Sequence, residues 1–167
     1  MGSPNMEYLY WLHKFYSERG YCSTTVPQFK IRIGKSGIHY RSAKFNTYTF
    51  NSLLWLYELF YIDKVKVMPS NIIDYLTPLA LAIWIMDDGG KHNAGLMIST
   101  YNFTYEGLLI IKAGLFSKYG LVVEIRKTSA GYIFIFLQSE MRALVSLVSP
   151  FFIPSMLYKL HGNHYLS

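Results

Sequence analysis

The sequence LAIWIMDDG, which runs from Leu81 to Gly89, is an apolar segment that ends in two adjacent carboxylates and a glycine. Thr77 and Pro78 precede it, and threonine followed by proline is typical of the start of a helix. Carboxylates at the C-terminal end of a helix oppose its macrodipole, at a cost of about 0.3–1 kcal/mol each. The pair at 87–88 therefore indicates a bound metal ion or proton, unless it is simply a solvated helix end.

Helical and strand-like patterns alternate along the rest of the chain. Apolar spacing predicts helices over 6–19, 51–62, 76–86, 105–118 and 139–149, and β-rich runs predict strands over 27–34, 38–50, 96–101, 121–127 and 131–138. The order helix, Gly20, strand, turn, strand, helix recurs around Gly120, which indicates an internal duplication. The second copy begins with an additional helix and strand that the first copy lacks.

The composition is that of a folded, basic chain of 167 residues. Apolar residues make up 51% of it and charged residues 16%, which excludes a disordered protein. A single cysteine, Cys22, excludes a disulfide framework and a multi-cysteine zinc site. No apolar run reaches the roughly 20 residues of a membrane span, and no signal peptide is visible, so we expect no membrane partner. The net charge of +6 points to a polyanion or an acidic surface as partner without choosing between them.

The excess positive charge is concentrated in one segment. No acidic residue lies between Glu18 and Glu58, and the six basic residues there equal the whole net charge. Cations alternate with apolar residues over 29–33, which places them on one face of a strand. A two-stranded basic ribbon fits a major groove, although a solvated sheet face is an ordinary alternative. The candidate nucleic-acid-binding residues are Lys30, Arg32, Lys35, Arg41, Lys44, Arg126 and Lys127.

Together with its neighbours, the segment at 81–89 resembles the motif helix of the LAGLIDADG homing endonucleases and maturases. The blocks that look like the subgroup encoded in organellar group I introns are TPLALAIWIMDDGGK at 77–91, YLYWLHKFYSERGYC at 8–22, FNTYTF at 45–50 and PSMLYKL at 154–160. The resemblance covers nearly the whole chain after residue 5. It implies an α+β fold of α-β-β-α-β-β-α units, whose antiparallel sheets form a saddle over DNA.

The resemblance also implies how the chain divides. It predicts an incomplete first unit over 6–65, a linker over 66–75, and a second unit over 76–167 with its motif helix at 76–89. A complete monomer of the family has two motif helices and two aspartates, and this chain has one of each. The chain would then be a fragment of a longer reading frame, a dimer, or a protein that binds without cutting. The predicted interface residues of the motif helix are Leu81, Ala82, Ile85 and Gly89.

Catalytic roles follow from the same resemblance. Asp88, the last aspartate of the motif, would bind Mg²⁺ or Mn²⁺, with help from the carbonyl of Asp87 beside it. Hard oxygen ligands with open water positions suit magnesium, which activates water in phosphodiester cleavage. Lys66 and Lys159 lie where the subgroup carries catalytic-site lysines, which would neutralise the scissile phosphate or assist the water. By residue type alone, either lysine is an ordinary surface group.

These features predict a homing endonuclease that binds double-stranded DNA and hydrolyses it site-specifically with a divalent metal ion. The alternative is a non-catalytic maturase, in which basic and aromatic residues would contact intron RNA and assist group I splicing. A third interpretation is a scaffold component held permanently by another protein or RNA. A homodimer or a complementing half-chain would supply the missing half. The composition is similar to that of proteins encoded in AT-rich organellar genomes, which predicts a mitochondrial location, with the chloroplast as second choice.

The basic segment makes a prediction about salt. If Lys30, Arg32, Arg41 and Lys44 all contact phosphates, the logarithm of the binding constant for nucleic acid falls with the logarithm of salt concentration. The slope is then at least about −3.6 in magnitude, from roughly −0.9 per contact. Titrations of a labelled duplex at several salt concentrations measure it, and a flat response would contradict the assignment of these residues to a polyanion.

Overall fold

The computed structural model describes residues 3–33 and 37–160, and its contacts divide the chain into two units, Met1–Asn51 and Ser52–Ser167. Helices and antiparallel sheets together make the fold α+β, as predicted. The sequence placed the end of the first unit at residue 65. In the structure, the residues from 52 onward group with the second unit because they make their contacts there. The assignment of each unit as a LAGLIDADG-type repeat stays a prediction.

The first unit consists of one helix and one hairpin. Helix α1 spans Ser3–Ser17, and strands β1, Lys30–Ile33, and β2, His39–Ser42, form an antiparallel pair with Lys30 opposite Ser42. Both strands are shorter than the predicted 27–34 and 38–50. Each strand has only the other as neighbour, so regular pairing ends where the hairpin ends.

The segment that follows is more structured than the sequence indicated. It contains α2, Leu54–Phe60, the two-residue strands β3, Tyr61–Ile62, and β4, Val65–Lys66, and the short helix α3, Ile72–Tyr75. Strands β3 and β4 are joined by a turn at Asp63 and Lys64, whose φ angles are positive, 49° and 65° respectively. The predicted linker at 66–75 therefore begins inside a strand and ends inside a helix. No residue of α2 is buried.

The second unit is built on a four-stranded antiparallel sheet in the order β5-β6-β8-β7. Its strands are β5, Gly89–His92, β6, Gly95–Ser99, β7, Glu124–Thr128, and β8, Gly131–Phe136. Its helices are α4, Pro78–Asp88, α5, Tyr105–Tyr119, and α6, Gln138–Val148, and a 3-10 segment spans Pro154–Leu160. Strand β5 was not predicted, because its sequence GGKH lacks the apolar alternation of a strand.

The core of this unit lies between the sheet and its helices. Helix α4 packs against α6, β6 and the 3-10 segment, and α6 also packs against β6 and β8. Both faces of β8 are covered, since Ile133, Phe134, Ile135 and Phe136 are all buried. Among the residues that the structure describes, no helix is long and apolar enough to cross a bilayer.

Helix α5 holds the segment that leads into α4. A Cβ at Gly114 would lie 2.8 Å from Cδ1 of Ile73, and one at Gly107 would lie 2.8 Å from Cβ of Met68. Both glycines therefore make room for side chains of the connecting segment. Lys118 Nζ donates to the Ile73 carbonyl at 2.8 Å. The Tyr119 hydroxyl donates to the Leu76 carbonyl at 2.6 Å. Backbone and side chains of 68–76 are thus fixed on α5.

This close packing predicts that Gly114→Val destabilises the protein. The added side chain overlaps that of Ile73, and overpacking of this kind costs about 1–3 kcal/mol, more than the gain in helix propensity over glycine. Chemical denaturation measures the change in the free energy of unfolding. Ser117→Ala, at an exposed position of the same helix, is the matched control and should change little. Equal stabilities of the two variants would contradict the packing described for α5.

Candidate functional site

The C-terminal end of α4 is the centre of the candidate site. The Thr77 side chain caps the start of the helix by accepting from the Ala80 N–H at 3.1 Å. At the other end, Gly89 is both the C-cap and the first residue of β5, so the chain turns from helix to strand within one residue. A Cβ on Gly89 would collide with the backbone of Ile85, which explains the glycine. Asp87 and Asp88 are exposed at this junction.

Asp88 and Lys66 line the same cavity. This cavity has a volume of about 280 Å³ and is otherwise lined by apolar and aromatic side chains, namely Phe60, Met68, Ile72, Leu76, Trp84, Phe103 and Ile111. The Lys66 ammonium lies 4.2 Å from the centroid of the Phe103 ring, a cation–π distance. The structure therefore brings together two of the three predicted catalytic residues. Lys66 is held there because the chain that follows it is fixed on α5.

Lys159 lies on the other side of the helix end. Its side chain is only 8% exposed, and its ammonium donates to the carbonyls of Ile85 at 3.4 Å, Met86, and Asp87 at 3.3 Å. Burial lowers the pKa of Lys159 below its usual value, while the charges of Asp87 and Asp88 act in the opposite direction. This lysine therefore contacts the backbone of the motif helix, rather than lining the cavity with Lys66.

The donor set fits a magnesium ion only in part. Asp88 presents an exposed carboxylate, and Mg²⁺ is commonly held by one or two carboxylates together with waters and substrate phosphates. The Asp87 carbonyl, the second predicted ligand, accepts a hydrogen bond from Lys159. Within residues 3–33 and 37–160, no three His, Cys, Asp or Glu side chains come together as a metal cluster. Asp88 is the residue suited to hold the ion.

The predicted basic ribbon is present as the hairpin of β1 and β2. Lys30 and Lys44 are exposed and line one cavity of about 560 Å³ together with Gln28 and Ser42. Lys35 lies outside the described residues. Arg32 and Arg41 lie in the paired strands, but their side chains are outside the description.

The second predicted basic pair lies on β7. Arg126 and Lys127 are both exposed. The Arg126 guanidinium pairs with the Glu124 carboxylate on the same strand at 3.2 Å, which reduces the net positive charge at that position. Lys127 is the better placed of the two for a phosphate contact.

The predicted interface residues of the motif helix occupy a different environment from the one expected. Leu81, Ala82 and Ile85 have no exposed surface in this chain. Gly89 is fixed against Ile85 at the turn into β5. Leu81, Ala82 and Ile85 are therefore not available on the surface for a second copy of the chain, whereas Gly89 is partly exposed.

The apolar and aromatic lining residues of this cavity were not predicted as site residues from the sequence. Trp84 lies one helical turn before Asp88, and that spacing of four places both side chains on one face of α4. This signal was present in the motif. Phe103 comes from the turn before α5, and nothing local to it indicates a contact with Lys66.

Comparison with known proteins identifies the family. The sequence profile of the LAGLIDADG DNA endonuclease family matches residues 2–144. The chain belongs to the LAGLIDADG family. The resemblance read from the motif blocks is therefore confirmed, and the role of Asp88 as the motif aspartate stays a prediction.

Three relatives are similar over most of the chain. Cytochrome b mRNA maturase bI2 of Debaryomyces hansenii is 41% identical over 98% of this chain, and the protein of the same name from Saccharomyces cerevisiae is 40% identical over 96%. Intron-encoded endonuclease ai4 of Dictyostelium discoideum is 36% identical over 89% of this chain and 98% of its own length. The chain spans 62% and 40% of the lengths of the two maturases.

A solved structure has the same fold. The homing endonuclease I-WcaI, bound to its DNA recognition sequence, superposes with a TM-score of 0.80 over 90% of this chain and 70% of its own. The sequences are 24% identical, so the likeness concerns the fold. It confirms the predicted homing-endonuclease-like α+β architecture.

Proposed function

We propose that the protein containing this chain is a homing endonuclease, which binds double-stranded DNA and hydrolyses its phosphodiester bonds site-specifically. One observation carries the proposal: the motif aspartate Asp88 and the lysine Lys66 line a single cavity at the end of α4. A carboxylate for a divalent cation and an ammonium for the substrate phosphate are two of the groups that phosphodiester hydrolysis uses.

The proposed roles follow from charge and position. Asp88 holds Mg²⁺ or Mn²⁺, which when bound supplies Lewis-acid activation of a water and charge stabilisation at the leaving oxygen. Lys66 neutralises the scissile phosphate from the same cavity. The Phe103 ring beside the Lys66 ammonium excludes water from one side of it, which strengthens its interaction with the phosphate. Asp87 adds negative charge beside the ion.

The basic hairpin supplies the binding energy in this proposal. Lys30 and Lys44 line one cavity on β1–β2, and two exposed ammonium groups close together suit phosphate oxygens. Arg32 and Arg41, which belong to the paired strands, and Lys35, which lies between them in the sequence, would extend this contact along the nucleic-acid backbone. Lys127 and Arg126 would contact a phosphate from β7. These contacts position the duplex and contribute little to sequence recognition.

A maturase function has its own support. Two of the relatives named above are cytochrome b mRNA maturases, and both are more similar to this chain than the intron-encoded endonuclease is. The same basic and aromatic surface would serve intron RNA, whose unpaired bases stack on aromatic rings. Two relatives are named for cytochrome b mRNA and one is named an intron-encoded endonuclease, which supports the proposal that this protein is made and acts in mitochondria.

The second half of the site would come from a complementing half-chain. An apolar strip of this chain is uncovered, with exposed fractions of 55% at Leu54, 61% at Ile62 and 65% at Val65. Surfaces of this kind usually receive another protein segment. The two maturase relatives are longer than the matched region, so a protein of that length would have further chain to cover the strip. A homodimer through the motif helix is less well supported, since Leu81, Ala82 and Ile85 are buried.

The endonuclease proposal predicts that Asp88→Asn abolishes cleavage and spares binding. Loss of the ion-holding carboxylate should lower the Mg²⁺-dependent cutting rate by at least about 100-fold. Affinity for the same DNA should stay within about twofold, because Asp88 repels phosphate rather than attracting it. Wild type and variant are compared on a randomised duplex library, with cut products sequenced and binding measured by gel shift.

The matched control is Asp74→Asn, which removes an exposed carboxylate from α3. It should cut at the wild-type rate. Equal cutting by the Asp88→Asn variant would contradict the proposal. A wild-type protein that cuts no duplex, yet binds group I intron RNA selectively, would support the maturase in its place.

The uncovered strip predicts self-association of the chain when it is alone. Light scattering should give a mass that rises above 19.4 kDa with concentration, because exposed apolar surface associates in water. The double variant Leu54→Glu, Val65→Glu should return to the monomer mass. Leu137→Glu, at an isolated exposed leucine, should behave as wild type. A wild-type chain that stays monomeric at every concentration would contradict this use of the strip.

A further inference from the structure

The last turn of α4 has more backbone carbonyls than the helix itself can satisfy. A helix leaves its final four carbonyl groups without intrahelical partners. Here the chain passes directly into β5, and Gly89 is extended, with φ −78° and ψ 149°, rather than in the left-handed conformation that commonly caps a helix. The last turn also contains no basic residue of its own. The Gly89 N–H donates to the Ile85 carbonyl, so the carbonyls that follow Ile85 are the ones that need a donor from elsewhere in the fold.

Lys159 is that donor. A lysine ammonium has three N–H groups and no acceptor. The ammonium of Lys159 donates to three successive carbonyls, those of Ile85, Met86 and Asp87. All of its donors are then engaged by the helix. A positive charge at this end also interacts favourably with the macrodipole, which the acidic pair opposes.

The segment around Lys159 fixes it in this position. Met156 and Leu160, in the same 3-10 segment, are 1% and 0% exposed, so both flanks of the lysine are anchored in the core. This segment packs against both α4 and β5. The ammonium is thereby held at the junction where the motif helix becomes a strand.

We propose that Lys159 is a positioning residue, which caps the last turn of α4 and so sets the orientation of Asp88 at the end of the helix. A lysine that spends its three donors on carbonyls has none for a scissile phosphate, which distinguishes it from Lys66. This proposal rests on the proposed function only where it takes Asp88 to be the residue that holds the metal ion. The cap itself is a property of the folded chain without DNA or metal.

Hydrogen exchange tests the cap directly. Lys159→Met keeps the length of the side chain and removes the donors, so the amides of 86–89 should exchange at least about tenfold faster than in wild type. The amides of β7 and β8 should not change. Lys112→Met, on α5, is the matched control for a lost lysine. If the methionine variant is poorly folded, Lys159→Gln, which keeps two donors, should show a smaller acceleration. Unchanged exchange at 86–89 in folded variants would overturn the proposal.

Salt dependence separates a cap from a phosphate contact. Affinity for a 30-base-pair duplex is measured over a range of salt concentrations for wild type, Lys159→Met and Lys30→Met. The Lys30 variant should lower the magnitude of the slope by about 0.9, the value of one lost phosphate contact, and the Lys159 variant should leave it unchanged. A loss of about 0.9 on removing Lys159 would overturn the proposal.

The two measurements keep this proposal apart from the proposed function. Exchange at 86–89 needs neither DNA nor metal, so it decides the cap even for a protein that cuts nothing. Accelerated exchange in Lys159→Met together with no cleavage by wild type would support the cap and count against the endonuclease. Cleavage by wild type with unchanged exchange in the variant would support the endonuclease and overturn the cap.

Discussion

The interaction between the Lys159 ammonium and the carbonyls at the end of α4 underlies the organisation of the site. An apolar helix that ends in two aspartates is disfavoured by its own dipole, and at the turn into β5 the Gly89 N–H caps the Ile85 carbonyl while the last turn has no basic residue of its own. The buried ammonium of Lys159 at that end interacts favourably with the dipole and donates hydrogen bonds to the carbonyls. The junction can then stay ordered while Asp88 remains exposed beside the cavity.

The other side of the site depends on close packing against α5. The glycines at 107 and 114 receive the side chains of Met68 and Ile73, so the connecting segment lies directly on the helix. This placement carries Lys66 to the ring of Phe103 and to the cavity that Asp88 also lines. Two lysines that look alike in the sequence thus have different environments, one over an aromatic ring in a cavity and one buried against backbone.

The sequence predicted those features that depend on residues close together in the chain. Thr77 and Pro78 fixed the start of the motif helix, and the family motif identified Asp88 and the α+β fold. The hydrogen bonds of Lys159 could not be predicted, because they join residues more than seventy positions apart. Strand β5 was missed because pairing with β6, rather than its own sequence GGKH, makes it a strand. The strands at 27–34 and 38–50 were predicted too long, since in the described part of the chain regular pairing is limited to Lys30–Ile33 and His39–Ser42.

The most direct test of the account is a crystal structure of the chain soaked with Mn²⁺, with the metal located by its anomalous signal. The account predicts a manganese peak at the Asp88 carboxylate, with the Lys159 ammonium still on the carbonyls of the last turn of α4. Either no peak at Asp88, or a manganese ion bound to the Asp87 carbonyl with Lys159 displaced, would contradict it.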